Sequence, residues 1–167
     1  MNTKRNIRVI LALVAALTIA AGCRTSNGAD VRIASESDVI EQVDSLARDV
    51  ADALGSKLIR PQSHTSACEN DLGDTSGKVR SALGGYQIPV KDSTDQANFT
   101  KVSNHWRAQG WTITEEYYNS KAHSGTITVE AADKNLQFSL SSTNSPTLLG
   151  LIITSSCFRE GPGPNSP

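Results

Sequence analysis

The 167-residue chain predicts an α+β fold: two helices laid on one face of a mostly antiparallel sheet, in the order α-β-β-α-β-β-β-β. Two segments repeat apolar residues at helical spacing, and six others are rich in β-formers, several alternating apolar with polar side chains. Turn residues link the later strands directly, so helices cover the sheet without separating every strand.

The first helix runs from Glu36 to Leu54, where Val39, Val43, Leu46, Val50 and Leu54, joined by Ile40 and Ala47, share one face. Ser35 caps its start with Asp38 three residues on, and Gly55 followed by Pro61 ends it. Its acidic opposite face, Glu41, Asp44 and Asp52, is a solvated one. Strands are expected at Ser63 to Glu69 and Val79 to Val90, the second with a potential break at Gly84-Gly85.

A second helix opens at Ser93-Thr94-Asp95-Gln96, a capping-box pattern, and sets Phe99, Val102 and Trp106 on one face. Gly110 is its left-handed stop. That places Trp106 and Trp111 at the two positions whose apolar contact accompanies a Schellman ending, a core and cap role rather than a ligand-stacking one.

Trp111 to Tyr118 and Thr126 to Ala131 then alternate, the latter with Ile127, Val129 and Ala131 opposite Thr126, Thr128 and Glu130. The turn Ala132-Asp133-Lys134-Asn135 leads back through Leu136, Phe138 and Leu140 as a hairpin, and Asn144-Ser145-Pro146 turns the chain again. The last strand, Thr147 to Phe158, carries Leu149, Leu151 and Ile153 on one face and Leu148 and Ile152 on the other, as a central or doubly covered strand does.

No catalytic or metal spacing emerges. His64, His105 and His123 fall on three different elements, and His64 and Cys68, four apart on one strand, would stand about 13 Å apart. Glu115 and Glu116 are strand neighbours, so they point to opposite faces and form no carboxylate pair. Ser155-Ser156 is linked to no histidine by any motif, and phosphate and dinucleotide fingerprints are missing. The expected catalytic, cofactor and metal sets are therefore empty.

The N-terminus is more specific. Lys4, Arg5 and Arg8 precede an apolar run, Val9 to Ala21, the layout of a secretory leader spanning residues 1–22. The run is short for a bilayer span, which takes about 20 residues. Ala20-Ala21-Gly22-Cys23 resembles the lipobox of bacterial lipoproteins, in which the cysteine thiol receives a diacylglyceryl group before cleavage ahead of it. The resemblance implies lipidation at Cys23, an extracytoplasmic lipid anchor in the cell membrane, and a membrane lipid as the one assignable partner.

Without the leader the chain carries 13 Lys plus Arg against 17 Asp plus Glu. That balance, with no basic stripe, gives no reason to expect nucleic-acid binding. Residues 23–34 read as a flexible tether, 35–160 as one domain and 161–167 as a disordered tail. Once Cys23 is acylated, only Cys68 and Cys157 remain, and an oxidising compartment favours pairing them. Two separately buried thiols are the alternative.

The span from Cys68 to Cys157 resembles small uncharacterised lipoproteins of actinobacteria, with a cysteine in an early strand, a helix ending in W-x-x-x-G (Trp106 to Gly110), alternating strands over Thr126 to Ser142, and a closing Ser155-Ser156-Cys157. It implies a cell-envelope location and a compact α+β fold, and it supplies no catalytic residues. The expected function is a non-enzymatic binding or accessory module of the envelope, its protein or small-molecule partner unassigned. A cell-wall hydrolase and a carrier of hydrophobic ligands are the alternatives.

Overall fold

Ser35 stands in extended conformation and its Oγ accepts the Asp38 N–H at 3.1 Å, so the chain enters helix α1 (Glu36–Ala53) as its capping pattern requires. The computed structural model describes residues 31–68, 78–131, 133 and 135–161. The leader, Cys23, residues 23–30 of the tether and residues 162–167 of the tail lie outside the described residues. No described helix is long and apolar enough to cross a membrane.

Helix α1 ends at Gly55, φ 72°, and helix α2 (Gln96–Ala108) at Gly110, φ 80°. At Gly110 both bonds of a Schellman ending form, from Gly110 N–H to the Arg107 carbonyl at 3.1 Å and from Trp111 N–H to the Trp106 carbonyl at 3.0 Å. The Trp106 and Trp111 rings then meet with centroids 4.5 Å apart, the core and cap contact that the spacing predicts. The start of α2 differs from expectation. Asp95, not Ser93, is the N-cap, its carboxylate accepting the Ala97 N–H, while the Ser93 hydroxyl donates to the Ser145 carbonyl and ties the helix entry to the distant turn.

Among the described residues eight strands form one sheet: β1 (Arg32–Ala34), β2 (Ile59–Ala67), β3 (Val79–Pro89), β4 (Thr112–Asn119), β5 (Ser124–Glu130), β6 (Leu136–Ser142), β7 (Leu148–Ser155) and β8 (Phe158–Glu160). The order across it is β1-β8-β3-β7-β6-β5-β4, with β2 along the free side of β3, and every pairing is antiparallel except β1 with β8. The two helices, the main strands and their sequence order match the predicted architecture. β3 runs unbroken through Gly84-Gly85.

Two strand readings need correction. Residues 32–34, assigned to the tether, are strand β1, whose three residues are too few to show a period of their own. The last strand divides into β7 and β8 at Ser156-Cys157, where the Ser155 hydroxyl takes the Ala82 N–H at 2.9 Å as the β3–β7 ladder gives out. β7 is central, the first of the two expected positions, and among the described residues only one of its faces is covered, with Ile152 55% exposed. An apolar side chain on each face is therefore not evidence of two covering layers.

The core lies between helices and sheet. Val39, Val43, Leu46, Ala47 and Val50 of α1, and Phe99, Val102 and Trp106 of α2, pack against Tyr86, Ile88, Ile127, Val129, Phe138, Leu140, Leu149, Leu151 and Ile153. Two glycines let the layers close. A Cβ on Gly84 would stand 2.6 Å from Val43 Cγ1, and one on Gly125 would stand 2.6 Å from the Phe99 ring.

Candidate functional site

Cys68 and Cys157 are joined by a disulfide, Cα to Cα 6.3 Å, across a separation of 89 residues. The bond ties the end of β2 to the break between β7 and β8. In the chain-entropy model a closure of that length removes roughly 4–5 kcal/mol of unfolded-state freedom. Cys68 is thus not available to share a ligand with His64, which stands exposed on β2 opposite Leu83. Among the described residues no group of three or more His, Cys, Asp or Glu side chains gathers.

Most of the remaining polar candidates have structural partners. His105 Nε2 lies 3.0 Å from Asp49 and 2.9 Å from Gln109, linking α2 to α1, and His123 sits at φ 50° in the turn before β5. Glu116 pairs with Arg107 of α2, whereas Glu115 accepts the Thr128 hydroxyl, so the two carboxylates do face opposite ways. Ser155 is 8% exposed and its hydroxyl donates to the Ser156 carbonyl. The Tyr86 hydroxyl donates to Asp44 at 2.6 Å, and burial together with that carboxylate pushes the phenol well above its ordinary range. Asp44 and Tyr86 border a cleft of about 410 Å³ shared with Arg48, Asp52 and Lys57, of which Arg48 is already paired with Glu41.

The more distinctive surface is the sheet face turned away from the helices. By strand alternation it presents Leu83, Gly85 and Gln87 of β3, Gly150, Ile152 and Thr154 of β7, and Ser139 and Ser141 of β6. Register sets Gly85 opposite Ile152 and Gln87 opposite Gly150, so the two glycines lie on a diagonal and the two side chains flank them. A groove of about 370 Å³ results, reaching Arg60, Gln62 and Thr143 at its margins. A second recess of about 220 Å³ continues it over Leu83 and His64.

Arg60 stands at φ 51°, beside the register shift between Ile59 and Gln62 that Pro61 accompanies on this edge strand. The Gln87 Oε1 is buried and has no hydrogen-bond partner. No residue of this groove was singled out for function from sequence. Its one available signal was glycine in the interior of strand patterns, at Gly84-Gly85 and at Gly150, which is compatible with a break, a bulge or a close approach by another chain.

No family model matches the chain, and no curated protein matches it. Among solved structures it is similar to the crystal structure of a Mycobacterium tuberculosis protein, LppA, that carries the designation "putative lipoprotein". The two share 15% identity over 75% of this chain and 79% of that one, with a TM-score of 0.48.

Proposed function

We propose that this chain is a lipoprotein, anchored through acylated Cys23 on the extracytoplasmic face of the cell membrane, whose α+β domain serves as a non-enzymatic binding or accessory module of the envelope. The observation that carries the proposal is Ala20-Ala21-Gly22-Cys23 directly after a basic and then apolar leader. The Cys68–Cys157 disulfide supports it, since such bonds persist in oxidising compartments. The domain's role as a binding module rests on the groove of the uncovered sheet face, while His105, Glu116 and Ser155 are engaged in holding elements together.

One acyl chain holds a protein to a membrane only marginally. At about 0.8 kcal/mol per buried methylene, the two or three chains of a bacterial lipoprotein make attachment effectively permanent. Cys23→Ala tests this in fractionated cells. The wild type is expected in the membrane fraction and released by detergent, and the variant is expected unprocessed or free of lipid. A Cys23→Ala protein that is processed and membrane-held like wild type would overturn the anchor.

A further inference from the structure

We propose that the end of the sheet formed by β1 and β8 rests on the bilayer surface, with the Ile33 side chain in the boundary between headgroups and acyl chains and the groove held away from the membrane. The proposal rests on the lipid anchor at Cys23 and adds a second, non-covalent contact with the same membrane.

Ile33 is 69% exposed, more than any other large apolar side chain among the described residues. A lone exposed aliphatic residue needs no partner on its own account. Its place in the chain supplies one. Ile33 follows Cys23 by ten residues, so even a fully extended chain carries it no more than about 35 Å from the acylated cysteine. Any other partner has to be recruited to this side chain, whereas the bilayer is kept beside it by the chain itself. One aliphatic side chain is too small to hold a free domain on a membrane, but on an anchored domain the contact is intramolecular and a weak one suffices.

The fold presents Ile33 from a fixed position. β1 pairs with β8 in parallel, Ile33 level with Arg159, and the Gly161 N–H donates to the Ala34 carbonyl at 3.2 Å. Gly161 lies so close to Ile33 that any Cβ there would collide with its Cγ2, so backbone supports the side chain on that flank. Cys157, bonded to Cys68, immediately precedes β8 and ties this end of the sheet to the end of β2.

Register sets the orientation. Arg159 is level with Val79, and Tyr117 is level with Gln87 through Thr126, Ser141 and Gly150. Val79 and Gln87 are eight residues apart on the unbroken β3, about 26 Å at the rise of a strand. Ile33 and Tyr117, the latter 52% exposed, therefore mark opposite ends of the sheet. The groove, bordered by Gln87, Gly150 and Thr143, lies toward the end that Tyr117 marks. A sheet standing on its Ile33 end turns that groove away from the bilayer.

The test uses the full acylated chain in vesicles of phosphatidylcholine and phosphatidylglycerol, with a nitrobenzoxadiazole label on Ile33→Cys or on Tyr117→Cys. Label emission at position 33 is expected to shift to the blue and to be quenched by lipids spin-labelled near the headgroup severalfold more than at position 117. Because the label is itself apolar, the unlabelled thiols are also timed with a charged maleimide. Ile33→Cys is expected to react severalfold more slowly than Tyr117→Cys, the reverse of the order that their 69% and 52% exposure in the domain dictates. Equal quenching at the two positions, or a faster reaction at position 33, would overturn the proposal. A position 33 that reacts slowly yet is not quenched by lipid is covered by protein, this chain's own or a second copy's, and overturns it as well. Chains that float with the vesicles and give any of these results leave the anchor standing; chains that do not float overturn the anchor and the docking with it.

Discussion

Toward the helices the sheet presents Ala82, Tyr86 and Ile88 from β3 and Leu149, Leu151 and Ile153 from β7, all almost fully buried. Away from them the same two strands present Leu83, Gly85, Gln87, Gly150 and Ile152, with no layer of the described residues over them. One backbone therefore serves two purposes in alternate residues. Gly84 and Gly85 show the contrast in adjacent positions: the first is small because Val43 and Tyr86 fill the space above it, and the second is small over an open groove. Residue type alone does not distinguish packing from access; the surroundings of the missing side chain do.

If the inner face holds the fold, truncating it should cost most. Phe138 is 1% exposed, with the Trp106 ring centroid at 5.5 Å and Trp111 at 6.1 Å. Phe138→Ala is expected to lose about 3–5 kcal/mol in urea unfolding, through lost burial and a cavity the tryptophans cannot fill. A loss below about 1 kcal/mol would mean the inner layer is not the main source of stability.

Tyr86→Phe should sharpen the picture at smaller cost, because it keeps the buried ring and removes only the hydroxyl bound to Asp44. A loss of about 1–2 kcal/mol at neutral pH is expected for a partly exposed bond to a carboxylate. The pH dependence has a definite sign. The folded phenol is raised above the unfolded value, so its contribution is complete below about pH 10 and declines as pH rises beyond it. Wild type should therefore lose stability more steeply above that pH than Tyr86→Phe, and parallel alkaline slopes would contradict the raised phenol.

Much of this was legible because the signals were local and redundant. Ser35 with Asp38, and Gly110 between Trp106 and Trp111, are patterns in which one short stretch fixes both a backbone conformation and a contact. The Cys68–Cys157 bond was legible from cysteine number together with the export that the N-terminal pattern predicts. The errors arose where a distant partner decides. Ser93 gave up its capping position to hold the Ser145 carbonyl, and β1 exists only because β8 lies beside it in parallel. The groove was not legible because it is made by register: only the pairing of Gly85 with Ile152 and of Gln87 with Gly150 brings the two glycines onto one diagonal.

Unfolding Gly84→Ala and Gly85→Ala side by side tests the division between the two faces most directly. A Cβ on Gly84 would press within 2.6 Å of Val43 Cγ1 and of the Tyr86 ring, and overpacking of this kind is expected to cost about 1–3 kcal/mol. A Cβ on Gly85 meets nothing closer than an ordinary contact with the Gln62 carbonyl at 4.0 Å, at an ordinary strand backbone, so Gly85→Ala should be neutral or gain up to about 1 kcal/mol. Opposite outcomes at these neighbouring positions are the predicted result, and equal losses at both would contradict a sheet packed on one face and kept open on the other.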